Sequence, residues 1–214
     1  MGEKARMAVC PECEGKIEWV ESPLCAGCGM MFPSREGEDR VCGDCLTEPP
    51  PFKRARAAAL YDGPPAVAIK RFKFGRQLVY LPVMQAWLKE RCREMLEDAD
   101  LLLPVPLHPR RLKARGFNQA LLLAQGLTEK PVALEALIRV RHTVPQVGLT
   151  PKERRENVKA AFVVAQPEII KGKNILLVDD LFTTGATARE CARALNRAGA
   201  ARVEVLTVGR VKHG

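Results

Sequence analysis

The residues best placed to do chemistry lie between Ile175 and Thr187, ILLVDDLFTTGAT. Two adjacent carboxylates, Asp179 and Asp180, follow four apolar residues. After Leu181 and Phe182 comes a hydroxyl-rich turn, Thr183-Thr184-Gly185-Ala186-Thr187. Paired carboxylates suit the hydroxyls of a sugar diol, directly or through a divalent cation. A threonine-glycine turn that opens a helix offers unpaired amides and a positive helix end to an anion. Either piece alone reads equally well as a helix cap or a solvated turn. In this order they describe a ribose 5-phosphate site. Neither G-x-x-x-x-G-K-[ST] nor G-x-G-x-x-G occurs, which argues against P-loop and dinucleotide folds.

A second chemistry sits near the start of the chain. Six of the eight cysteines form three C-x-x-C pairs: Cys10/Cys13, Cys25/Cys28 and Cys42/Cys45. Two residues between cysteines let both sulfurs of a knuckle face one ion, and two knuckles complete a tetrahedral thiolate cage. Glycines at 27, 29 and 43 suit the sharp turns of the second and third pairs. The expectation is Zn²⁺ on Cys25, Cys28, Cys42 and Cys45. Four thiolates leave no open position, so such a site is structural. Cys10 and Cys13 either bind a second ion with an unseen partner, replace one of these pairs, or are free. Disulfides are the alternative, disfavoured by a reducing cytosol and by an N-terminus without the apolar stretch of a secretory signal. Cys92 and Cys191 read as ordinary buried thiols on helices.

Charge divides the chain in the same place. Of 214 residues, the first fifty hold 5 basic and 10 acidic side chains and the rest hold 29 and 15, so the body carries +14 of a formal net +9. Pro49-Pro50-Pro51 is a stiff joint between the two, predicting a cysteine-rich domain over 1–50 and a larger one over 51–214. A basic body points to phosphate-bearing partners. The apolar runs are too short for a helical membrane span, and the expectation is a soluble, cytoplasmic protein.

The body alternates strand and helix patterns. Strands are predicted at Arg54–Tyr61, Asp100–Val105, Leu137–Val140, Ala161–Val164, Asn174–Val178 and Val203–Val208. Helices are predicted at Ala66–Phe74, Val83–Leu96, Phe117–Leu127 and Ala186–Ala198, with a basic loop at Pro106–Gly116. That order implies right-handed crossovers and an α/β fold with a mainly parallel sheet flanked by helices. The carboxylates then lie at a strand's C-terminal end, where open α/β sheets place ligands. Asn118 and Gln119 could read a base edge or cap a helix. His108, His142 and His213 show no metal-ligand spacing.

The stretch from Ile175 to Thr187 resembles the signature of the type I phosphoribosyltransferases. Tyr61–Pro64, Arg71–Gly75 (RFKFG), Pro104–Arg111 (PVPLHPRR), Arg115–Gln119 (RGFNQ) and Arg154–Asn157 (RREN) stand in the order seen in the ComF family of competence proteins. The cysteine head is similar to that family's double zinc ribbon. Many members carry four C-x-x-C pairs, and the one missing here would lie before Cys10. The resemblance implies the following roles. Asp179 and Asp180 hold the ribose hydroxyls of phosphoribosyl pyrophosphate, bound with Mg²⁺, and steady an electron-poor sugar. Thr183, Thr184, Gly185, Ala186 and Thr187 take the 5-phosphate. Val105, Pro106 and Leu107 face the pyrophosphate, with Arg110, Arg111, Lys113 and Arg115 as its cations. The segment Gln146–Asn157 is a flap closed by Arg154 or Arg155, unless these two are a solvated helix face. Two functions follow. One is a phosphoribosyltransferase associated with DNA uptake. The other is an adaptor for single-stranded DNA and a competence helicase, using a basic run (Lys53, Arg54, Arg56, Lys70, Arg71, Lys73, Arg76) interleaved with Phe52, Phe72 and Phe74. The acceptor and the oligomeric state are not legible.

Overall fold

The structure, a computed structural model, describes residues 9–34, 36–141, 143 and 150–212. In the head, two short helices, Pro11–Glu14 (α1) and Gly43–Thr47 (α2), each follow a cysteine at the N-cap, Cys10 and Cys42. The body begins with a strand, Ala55–Leu60 (β1), and a helix, Gly63–Gly75 (α3). Asp62 caps that helix through the Gly63 amide, and Pro64 suits its first turn. Two helices follow, Leu81–Arg91 (α4) and Arg93–Asp98 (α5), then a strand, Leu101–Pro104 (β2). The single helix predicted over Val83–Leu96 is therefore broken at Cys92, whose φ is −129°. The break leaves the apolar period intact, because Cys92 still donates to Leu88 and Leu96 to Cys92.

The predicted basic loop contains a helix, Pro109–Arg115 (α6), with His108 as its cap and Gly116 left-handed at its end. Next come helices Gln119–Gln125 (α7) and Pro151–Val158 (α8), the latter behind a Thr150/Glu153 capping box, with a short strand Leu137–Arg139 (β3) between them. After Phe162–Val164 (β4) and Pro167–Ile170 (α9), the chain ends in Asn174–Phe182 (β5), Ala186–Arg197 (α10) and Arg202–Arg210 (β6). No helix among the described residues is long and apolar enough to cross a membrane.

Four strands form one parallel sheet in the order β1-β6-β5-β2, and β3 and β4 form a separate antiparallel ribbon. Side-chain alternation sorts β5 onto two cores. Ile175 and Leu177 pack on one face with Cys191 and Leu195 of α10. Leu176 and Val178 pack on the other with Ile69, Phe72, Met84 and Leu88 of α3 and α4. Burial on both faces explains why the strand reads as an unbroken apolar run. The sequence places the end of β5 at Val178, but pairing carries it to Phe182. Asp179 faces Thr207, Leu181 faces Gly209 and Phe182 faces Arg210 in register. Neighbouring strand pairing overrides the low strand preference of aspartate.

The head is strapped to the edge of this sheet. Val20 donates to Ala58 and Leu60 donates to Glu18, making Trp19 an antiparallel neighbour of Ala59. Trp19 meets Trp87 of α4 edge-on at 5.8 Å. The proline run is also held: Arg189 donates to the carbonyls of Glu48 and Pro49, and Asn196 to that of Pro51. At the start of β1, Gly29 has φ +71°, and a Cβ there would lie 2.3 Å from the Ala55 carbonyl oxygen. Gly29→Ala should therefore lower stability by more than about 1 kcal/mol, measured by urea unfolding. A variant as stable as the parent would contradict this close approach.

Candidate functional site

The C-terminal end of β5 sets the carboxylates beside side chains of opposite charge, Lys73 and Arg115. Asp180 is buried, at 1% exposure, and Asp179 is half-buried. The Lys73 ammonium, from the last turn of α3, donates to Asp180 Oδ1 at 3.0 Å and stands 2.8 Å from Oδ2. Oδ2 has no hydrogen bond of its own. Asp179 Oδ1 accepts from the Asp180 amide at 2.8 Å. Two such neighbours cannot ionise alike. Burial and the charge of Asp180 push the Asp179 carboxyl up to about 8. Burial would raise Asp180 too, but Lys73 outweighs it and holds that carboxyl below its ordinary value. Burial likewise opposes the Lys73 charge, and the carboxylates reverse the balance, raising its pKa.

The threonine-glycine turn follows directly. Gly185 is left-handed at φ +72° and serves as the N-cap of α10, and no side chain caps that helix. A Cβ at Gly185 would fall 2.5 Å from the Phe182 ring, so the turn rests on that phenylalanine. Thr183, Thr184 and Thr187 are half-buried, Gly185 and Ala186 buried. The Thr184 hydroxyl is buried without a partner.

The predicted pyrophosphate loop leaves the neighbouring strand β2. Val105 extends the pairing by donating to Val178, Val105 and Pro106 are buried, and Leu107 is half-buried. Arg115 donates to Gln119 at 2.6 Å, and burial lowers its pKa against the pull of Asp180 and Asp179. Arg111 donates to the Thr143 carbonyl, and Arg110 and Lys113 are exposed. Asn118 is a cap: its Oδ1 accepts from the Ala120 amide, while its Nδ2 donates to Val105 and ties helix α7 to the loop. Of the predicted flap, 146–149 lie outside the described residues, as do His142 and His213. Arg154 and Arg155 lie on α8, where Arg155 pairs with Glu48 at 3.3 Å.

Sequence reasoning missed two cations. Lys73 was grouped with the basic run, yet it answers Asp180. Arg139 of β3 is buried, donates to the Thr143 hydroxyl and keeps an unpartnered Nε. The basic run itself divides. Phe52 and Phe72 are buried, whereas Phe74 is 67% exposed with Arg115 over its ring. Arg54 pairs with Glu204 and Glu94, and Arg56 donates to Cys25 and Ala26.

The cysteines of the second and third pairs converge. The sulfurs of Cys25, Cys28, Cys42 and Cys45 all lie within 4.8 Å of one another. The Cys28–Cys42 separation of 3.8 Å matches the edge of a tetrahedron with Zn–S of about 2.3 Å. Amides of Cys28 and Cys42 point at Cys25 Sγ. Burial would raise the Cys25 thiol, but these amides outweigh it and bring it to about 6. The donor set thus fits structural zinc. Cys10 is exposed and Cys13 half-buried, and neither belongs to a cluster of three or more ligands among the described residues.

A parallel sheet that ends in paired carboxylates beside a threonine-glycine turn, behind a thiolate ribbon, defines a phosphoribosyltransferase-type protein with a zinc-ribbon head. Family profiles agree: one described as "Phosphoribosyl transferase domain" matches residues 113–214, and one described as "Double zinc ribbon domain" matches residues 2–46. The chain is 32% identical to Competence protein F of Haemophilus influenzae, over 94% of this chain and 96% of that protein. It is 35% identical to the DNA utilization protein YhgH of Escherichia coli K12, over 92% and 88%, and 28% identical to Competence protein ComFC of Bacillus subtilis, over 94% and 84%. The chain belongs to the ComF family. A glutamine phosphoribosylpyrophosphate amidotransferase from B. subtilis, complexed with ADP and GMP, is a solved structure with 22% identity and a TM-score of 0.41. That match covers 65% of this chain and 30% of the amidotransferase.

The two carboxylates should respond oppositely to neutralisation. Asp179→Asn should raise the melting temperature by roughly 2–4 °C at pH 8. Its folded pKa is above the unfolded value, so the folded state holds the extra proton and stability falls as pH rises from about 4 to 8. The gain should shrink at pH 5. Asp180→Asn, which leaves Lys73 unpaired, should cost about 3 kcal/mol. Thermal melts of both variants across pH check this, and equal signs would overturn the charge assignment.

Proposed function

We propose that the chain binds phosphoribosyl pyrophosphate as its Mg²⁺ complex and acts as a phosphoribosyltransferase associated with DNA uptake. One observation carries the reading. The carboxylates of β5 and the uncapped start of α10 are separated only by the four residues Leu181–Thr184, with the cations of α6 following the neighbouring strand. Asp179 and Asp180 are placed for the ribose hydroxyls. The amides after Gly185, with the hydroxyls of Thr183 and Thr187, are placed for the 5-phosphate. Lys73 keeps Asp180 ionised, so a negative charge faces the sugar as it becomes electron-poor. Arg110, Arg111 and Arg115, on the helix that follows β2, would be the cations that meet the departing pyrophosphate. Mg²⁺ arriving with the substrate would neutralise the growing charge of that leaving group. Arg154 and Arg155 stand on α8, within the proposed flap 146–157, and closure there would exclude water.

A second reading is favoured by Phe74. This exposed ring stands at the end of α3 among Lys70, Arg71 and Arg76, a surface suited to stacking bases of single-stranded DNA. The names of the relatives, competence and DNA utilization, agree with it. One protein could use both surfaces.

Titration calorimetry with phosphoribosyl pyrophosphate and Mg²⁺ should show binding that the Asp179→Asn/Asp180→Asn double variant weakens at least tenfold. No heat at millimolar ligand, or equal binding by the double variant, would count decisively against the first reading. Fluorescence titration with single-stranded DNA should show an affinity that falls steeply with salt and weakens about 5- to 150-fold in Phe74→Ala. A salt-independent signal, or one indifferent to Phe74, would remove the second.

A further inference from the structure

The thiolate cluster and the phosphate turn, 138 or more residues apart in the chain, are built against each other, and one side chain joins them. Arg210 ends the central strand β6. It is 2% exposed. Its backbone is pinned on both sides: Tyr61 donates to its carbonyl, and Val211 donates to Phe182. Its Nη1 donates to the Cys28 carbonyl at 2.6 Å, and its Nη2 is buried without a partner. The guanidinium also lies 5.4 Å from the centre of the Phe182 ring. That ring supports Gly185 at the head of the phosphate turn. Beside this column, Cys28, Asp44, Cys45, Phe182, Thr184 and Arg189 line a cavity of about 50 Å³. The partnerless hydroxyl of Thr184 belongs to the same turn. Cluster and turn therefore share walls.

A buried guanidinium with an unsatisfied N–H is costly unless an opposite charge stands near it. Four thiolates around a divalent cation form a doubly negative centre. Arg210 is the buried cation facing that centre from the body of the protein, and it reaches the knuckle through Cys28. We propose that Arg210 is a positioning residue that makes zinc occupancy and phosphate binding one linked equilibrium. The metal-loaded cluster fixes the guanidinium, the guanidinium fixes Phe182, and Phe182 holds Gly185 where the amides of α10 can receive an anion. This rests on the ribose-phosphate reading above and adds that the zinc ribbon tunes that site. Linkage makes the effect reciprocal: whatever zinc does for the anion, the anion does for zinc.

The test uses the full zinc-loaded chain. The partition of zinc between the chain and a competing chromogenic chelator is measured at equilibrium with and without saturating ribose 5-phosphate, whose binding is measured separately by calorimetry. Ribose 5-phosphate should raise the zinc affinity at least about fivefold. Arg210→Gln should bind zinc about ten- to a hundredfold more weakly, and the anion should no longer protect it. Arg210→Lys keeps the charge and should recover most of the zinc affinity. A purely structural role would predict no protection by ligand in the parent protein. Binding of ribose 5-phosphate with unchanged zinc affinity overturns the coupling and leaves the ribose-phosphate reading standing. No binding at all overturns both. An Arg210→Gln protein whose zinc affinity and ligand protection match the parent also overturns the coupling. If that variant does not fold, the parent's protection by ligand and the Arg210→Lys protein decide the matter.

Discussion

The pairing of β5 with β6 continues four residues past the apolar run Ile175–Val178, and the rest of the site depends on that extension. Through Val178 the two strands are held by burial on both faces. Beyond it, register carries Asp179, Leu181 and Phe182 outward against Thr207, Gly209 and Arg210, and Phe182 rejoins one of the cores. The extension has three consequences. It makes the carboxylates part of a rigid ladder rather than a loop, sets the phenylalanine that supports the threonine-glycine turn, and delivers an arginine to the thiolate knuckle. A strand that stopped where its apolar residues stop would leave all three to a flexible linker.

Electrostatics then divides the labour between two adjacent, similar residues. One ammonium, from a different element, is enough to split them. Asp180 is kept charged by Lys73, while Asp179, half-buried beside an existing negative charge, holds its proton to unusually high pH. A cation brought beside Asp179 would relieve that conflict, and carboxylates perturbed in this way cluster at functional sites.

Much of this was legible in the sequence because it is local. The strand–turn–helix around Asp179, the C-x-x-C knuckles and the amphipathic helices each occupy a short window with its own period or spacing. The helix at Pro109–Arg115 is hidden by a basic composition that suggests a loop, although Pro109 at its start and Gly116 at its end mark its limits. What could not be read joins distant residues. Lys73 meets Asp180 across 107 positions, and Arg210 meets Cys28 across 182. The break at Cys92 was hidden for another reason: its hydrogen bonds and apolar period run through the kink without glycine or proline to mark it. The end of β5 escaped because its partner strand, not its own composition, keeps it extended.

The strap formed by residues 18–20 also bears on what becomes of the sheet's open edges. An open parallel sheet has two rims of unsatisfied backbone, each a template for joining another molecule. Here the Trp19 segment lies along the outer side of β1, and the Pro131–Ala133 segment hydrogen-bonds to the outer side of β2 at Leu102. The cysteine-rich head is thus a guard as well as a metal carrier. A body made without it would expose the flank of Ala58 to Leu60, and clumping of that fragment would reflect a bared rim rather than a failure to fold.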